Sequence, residues 1–151
     1  MNRESYTYEN HENDLLVYAF ESVGKQGTIK KMVYFQEISP SFYNLAMGDY
    51  LGENDIPIDD MRVSDNGDMP KVFATIAKII AHFLHENPPY TVFIEGNTPI
   101  KKALYQRIIT NNRKDLIAIF DLFGVDSLGK AQNFDTTVPY EALLIKAKPI
   151  F

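Results

Sequence analysis

The sequence predicts an α+β domain: a mostly antiparallel, twisted sheet of six or seven strands covered by two main helices. Three observations carry this. Runs rich in β-branched and aromatic residues, separated by short glycine or proline turns, fill the first fifty residues. A 3.6-residue apolar period dominates Met69 to Glu86, and from there strand-like and helix-like segments alternate. The 151 residues show no repeat, low-complexity tract or linker. One domain over 1–151 is therefore expected, large enough to bury about two-thirds of its unfolded surface.

Leu15 to Ser22 contains the β-formers Val17, Tyr18 and Phe20. Val23 to Gly27 supplies a glycine turn, and Thr28 to Ile38 returns as the second arm of a hairpin. Pro40 ends that arm, and Phe42 to Tyr50 adds a third strand to a meander. Between Asp49 and Asp68 seven acids, Asp49, Glu53, Asp55, Asp59, Asp60, Asp65 and Asp68, face the single base Arg62. A solvated loop around a short strand, Ile58 to Ser64, is the simpler reading, and a cation site the sharper one.

Met69 to Glu86 is the strongest helix. Val72, Phe73, Ile76, Ile79, Ile80, Phe83 and Leu84 form one face, and Lys71, Thr75, Lys78, His82 and His85 the other. Asp68 is placed to cap it, Pro70 suits its first turn, and Asn87-Pro88-Pro89 stops it. Tyr90 to Glu95 follows as a short strand, which with Ile58 to Ser64 and the helix reads as a right-handed parallel crossover. Thr98 and Pro99 then open a second helix running to Asn111 or Asn112, with Ile100, Leu104, Tyr105, Ile108 and Ile109 on its apolar side. Leu116 to Phe123 and Glu141 to Lys148 are the last strands, joined by the polar stretch Asp126 to Thr137.

Composition narrows the function. Twenty acidic against fifteen basic residues give a net charge of -5, which argues against a nucleic-acid binder relying on summed phosphate contacts. The absence of cysteine removes disulfides, thiolate catalysis and cysteine-based metal sites. No apolar run approaches the roughly 20 residues that span a bilayer, and the start lacks the apolar stretch of a secretory signal. A cytoplasmic protein with no membrane association is expected. Phosphate loops, dinucleotide fingerprints and nucleophile elbows are missing, so no cofactor is expected.

The candidate site is the start of the second helix. Lys101 and Lys102 sit in its first turn, where the helix dipole disfavours cations by about 0.3 to 1 kcal/mol each. A bound anion would compensate. The backbone amides around Gly96, Asn97, Thr98 and Ile100, the Thr98 hydroxyl and the two ammonium groups would together seat a phosphate or carboxylate. The competing reading sends both lysines to water, pairing with carboxylates such as Glu95. His82 and His85 share a helical face at a spacing that metals use, but it reads as an exposed polar face, and no metal is expected. Asp65-Asn66-Gly67-Asp68 has the start of a calcium loop, yet Ile76 stands where the bidentate glutamate belongs.

Four segments, GTIKK at Gly27 to Lys31, YNLAMGDY at Tyr43 to Tyr50, NGDMPKVFAT at Asn66 to Thr75 and GNTPIKKALY at Gly96 to Tyr105, together resemble a family of small uncharacterised bacterial proteins. The resemblance covers roughly Tyr6 to Lys148 and implies no activity. In that family pattern arginines stand at the positions of Lys101 and Ala103; this chain keeps one charge, drops the other and adds Lys102.

A second, fold-level resemblance is to GNAT-type acyl-CoA N-acyltransferases. Their strand, helix, strand, helix, strand order is similar to Ile58 through Phe123, and their asparagine followed by a tyrosine-bearing helix is similar to Asn97 and Tyr105. The resemblance implies Tyr105 as general acid, with a carboxylate such as Glu95 as base, and CoA pyrophosphate at the first of those helices. Here the loop before that helix carries Asp65 and Asp68, which would repel a pyrophosphate.

Two functions follow. The first is a binding protein that takes a small anionic ligand or an acidic partner segment at Gly96, Asn97, Thr98, Lys101 and Lys102. Tyr6, Tyr8, Tyr43, Tyr50, Tyr90 and Tyr140 would then give contact surface, unless they are core. The second is acyl transfer through Tyr105 and Glu95, or a degenerate member of that transferase fold. Homodimerisation is compatible with either.

Overall fold

The computed structural model describes residues 4–50 and 63–149. Glu9–Asn10 (β1) leads through a short 3-10 turn into the hairpin Val17–Gly24 (β2) and Gly27–Ser39 (β3), followed by Phe42–Asp49 (β4). Successive strands pair antiparallel, so the predicted meander is present, with β1 added to its edge. Lys25 and Gln26 alone close the hairpin, and Gly27 takes the positive φ of 87° that such a turn needs.

Helix Met69–Glu86 (α1) then carries the chain to Thr91–Ile94 (β5), which lies parallel to β4. A parallel crossover thus runs from β4 through α1 to β5. Ile58 to Arg62 lie outside the described residues, and Val63 and Ser64 are not in a strand. Helix Pro99–Asn111 (α2) keeps its expected bounds. A third helix, Arg113–Ile117 (α3), replaces the start of the strand expected over Leu116 to Phe123, because Leu116 buries itself as a helical residue. The strand proper is Phe120–Val125 (β6), and Ala131–Asn133 (β7) forms inside the polar stretch. Ala142–Ala147 (β8) inserts between β5 and β6, giving one sheet ordered β1-β2-β3-β4-β5-β8-β6-β7. Among the described residues, eight strands and three helices thus stand where six or seven and two were expected.

Among the described residues, α1 and α2 pack on one face of this sheet. Val33 and Phe35 of β3, Tyr43, Leu45 and Met47 of β4, Val92 and Ile94 of β5, and Leu143 and Ile145 of β8 join α1 and α2 in one buried cluster. Each set alternates along its strand, as a pleat demands. The Phe35 and Phe83 rings stack at 3.9 Å and fix α1 on the sheet.

Tyrosines ring this core, and their phenols titrate late. Tyr43 is held protonated well above its ordinary value by hydrogen bonding with Tyr90, by burial and by its bond to Glu37; burial raises Tyr8, Tyr18 and Tyr34 as well. Below the ordinary phenol value of about 10 both folded and unfolded states keep the proton, so this stabilisation is complete. Above it the unfolded chain loses its protons first, and stability falls as pH rises toward the folded values. The melting temperature is expected to drop above pH of about 10, less steeply in Tyr43→Phe. Thermal denaturation followed by circular dichroism across that range checks this, and a rise there would contradict it.

Candidate functional site

Both long helices carry a proline in their first turn, Pro70 in α1 and Pro99 in α2, and this shapes what their N-termini offer. In α1, Asp68 occupies the cap position but its carboxylate does not cap. One oxygen accepts the Tyr6 hydroxyl at 2.5 Å and the Ser22 hydroxyl at 2.6 Å. The Asp68 carbonyl takes the amides of Lys71 and Val72, and Pro70 has none to give. In α2 the expected cap forms: the Thr98 hydroxyl accepts the Lys101 amide at 3.1 Å, and the Thr98 carbonyl accepts that of Lys102 at 2.9 Å. Gly96 is buried against this turn, where a Cβ would collide with the backbone of Lys101 and Lys102. Its role is steric closure of the turn.

The two lysines part company. Lys101 borders a cleft between the starts of α1 and α2, whereas Lys102 borders a groove on the other flank of α2, its ammonium paired with the Glu141 carboxylate. Glu141, and not Glu95, is thus the carboxylate that Lys102 finds. Adjacent helical residues point about 100° apart, and the two lysines accordingly border different clefts.

The cleft beside Lys101 has a volume of about 720 Å³. Val63, Met69 and Pro70 wall it from the α1 side, and Ile100, Ala103 and Leu104 from α2, with Lys101 and Arg107 as its cations. Ile100 is 82% exposed, which for an isoleucine at the mouth of an apolar cleft leaves surface to be covered. The Arg107 guanidinium lies 5.5 Å from the Phe73 ring of α1, spanning the two helices. Of Asp65 and Asp68, it is Asp65 that borders the cleft, and one of its oxygens accepts the Gly67 amide at 2.8 Å. Asp68 is turned to Tyr6 and Ser22 instead. Arg107 is the residue that sequence reasoning passed over. Its signal was the stripe Ile100, Ala103, Leu104, Arg107 at steps of three, one and three, which ends in a cation on the face that meets α1.

The remaining candidates are placed as follows. Tyr105 is 5% exposed and belongs to the core cluster, while Glu95 on the turn after β5 is exposed. Tyr43 and Tyr140 are core, and Tyr6, Tyr8 and Tyr90 pack against it. His82 and His85 lie on the exposed side of α1, His82 with its ring nitrogen 3.3 Å from the Tyr8 hydroxyl. Glu53, Asp55, Asp59 and Asp60 lie outside the described residues. Asp49 is no part of a solvated loop. It is 3% exposed, bonded to the Lys31 ammonium at 2.6 Å, and it also accepts the Ser64 amide at 3.1 Å.

The chain belongs to the family described as "Family of unknown function (DUF6934)", whose model matches residues 2–148. No curated protein and no solved structure matches it. Among the described residues, no helix is long and apolar enough to cross a membrane.

Proposed function

We propose that this member of DUF6934 is a binding protein whose ligand is a small amphipathic anion seated in the cleft between the starts of α1 and α2. The observation that carries this is the cleft itself: about 720 Å³, within the usual range for small-molecule sites, apolar on both walls and bordered by Lys101 and Arg107. An apolar body would cover Ile100, Leu104 and Met69, and an acidic head would meet the two cations. Because the Lys101 and Lys102 amides already serve Thr98, side-chain cations supply the recognition.

A thermal-shift titration tests the reading, with octyl phosphate as the amphipathic probe and inorganic phosphate as its head alone. At a hundred times Kd, binding adds about 2.7 kcal/mol, a rise of about 5 to 10 °C for a chain of this size. Octyl phosphate is expected to raise the melting temperature more than phosphate does. Lys101→Ala with Arg107→Ala should abolish the rise, and Lys102→Ala should leave it. An equal rise in wild type and double variant would sink the proposal.

A second reading takes acyl-CoA as the ligand. The order β4, α1, β5, α2 and α3, β6, with β4 parallel to β5, supports the resemblance to GNAT-type acyltransferases. In that reading an acceptor amine attacks the thioester carbonyl, the C–N bond forms as C–S breaks, the exposed Glu95 takes the amine proton and the departing thiolate is protonated from solvent. Calorimetry with acetyl-CoA separates the two readings: heat that disappears in the Lys101 and Arg107 double variant, with turnover lost in Glu95→Gln, supports transfer, and no heat at millimolar ligand removes it.

A further inference from the structure

The face of the sheet turned away from α1 and α2 carries apolar side chains in register. Asn44, Phe93, Leu144 and Phe123 stand side by side across β4, β5, β8 and β6, and the next row places Thr91, Lys146 and Asp121 across β5, β8 and β6. Phe93, Leu144 and Phe123 are half-buried, as is Phe42, whose ring lies 5.7 Å from that of Phe93. An outward sheet face ordinarily alternates to polar residues, and an apolar row at its centre marks an interaction surface.

We propose that two copies of this chain dock through this face about a two-fold axis running along the strands between β8 and β6. The register selects that axis. Lys146 and Asp121 stand at one height, Leu144 and Phe123 at the next. A two-fold between the two strands therefore seats Lys146 on the partner's Asp121 and Leu144 on the partner's Phe123, each contact made twice. Within one chain Lys146 and Asp121 form no ion pair; the Lys146 ammonium lies 5.3 Å from the Phe123 ring instead. The opposite charges thus await a partner across the interface. Strands β5, β8, β6 and β7, about 4.8 Å apart with rises of about 3.3 Å per residue, present roughly 20 Å in each direction. That is the low end of specific interfaces, so the dimer dissociates on dilution.

Sedimentation equilibrium of the full chain from about 1 to 500 μM tests this, with circular dichroism confirming that each variant is folded. A monomer–dimer equilibrium is expected. Lys146→Asp or Asp121→Lys alone weakens it at least tenfold, the two together restore it, and Leu144→Glu abolishes it. A wild type that is monomeric throughout overturns the proposal, and if it binds a hydrophobic dye that Leu144→Glu no longer binds, the face serves a different partner. A dimer that Leu144→Glu leaves intact uses another surface and also overturns it, as does a charge swap no better than its single changes.

Discussion

Lys31→Met is expected to lower the melting temperature by about 10 °C or more, and Lys31→Met with Asp49→Leu to recover most of that loss. Lys31 and Asp49 stand directly opposite on β3 and β4, on the face that meets the helices. They are 1% and 3% exposed and joined at 2.6 Å. The Lys31 ammonium also bonds the Ser64 carbonyl at 2.7 Å, so one buried cluster clamps two strands and the segment leading into α1. Removing the cation alone strands a carboxylate in the core, which costs about 3 to 5 kcal/mol, or several degrees per kcal/mol for a chain of this size. Removing both charges leaves an apolar pair and no stranded ion. Equal loss in the single and double variants, read by thermal denaturation, would show that the charge pair is not the cause.

Asn66→Ala is expected to cost about 2 to 4 kcal/mol in a urea titration, although the residue lies in a loop. Asn66 is fully buried beneath the β2–β3 turn. Its amide donates to the Gly27 carbonyl at 2.8 Å and the Ser22 hydroxyl at 3.2 Å; its side-chain oxygen accepts the Gln26 amide at 2.6 Å, and its own carbonyl accepts that of Lys25 at 3.0 Å. Alanine takes from the buried Ser22 hydroxyl one of its partners and frees the part-buried Gln26 amide and Gly27 carbonyl from the bonds that hold the turn down. The fit is close enough that a Cβ on Gly24 would overlap the Asn66 carbonyl, so Gly24→Ala should act in the same direction. Neighbouring Asp65 is exposed, and its replacement should cost far less. A loss under about 1 kcal/mol for Asn66→Ala would refute this account of the junction.

The helices were legible because their signals are local. The period of α1, the proline and cap at α2 and the stop at Asn87 are all contained within a few turns of chain, and the observed bounds Met69–Glu86 and Pro99–Asn111 follow them. Leu116 and Ile117 misled because two apolar residues fit a strand and a short helix equally well, and only burial of Leu116 decided between them. In the candidate site the sequence located Lys101 but grouped it with Lys102, whose partner Glu141 stands 39 residues further along the chain. Arg107 was missed because a single arginine on an amphipathic helix has no meaning until α1 lies beside it.

What the residues settled alone is the class of the fold, the hairpin, the two long helices and the exclusion of cysteine chemistry, since each rests on spacing or composition. Tertiary structure decided which charges are buried, which lysine meets the cleft and which sheet face is left without helices. Those outcomes depend on groups far apart in sequence meeting in space, and a pairing such as Lys31 with Asp49 has an energy only once the chain has removed both from water.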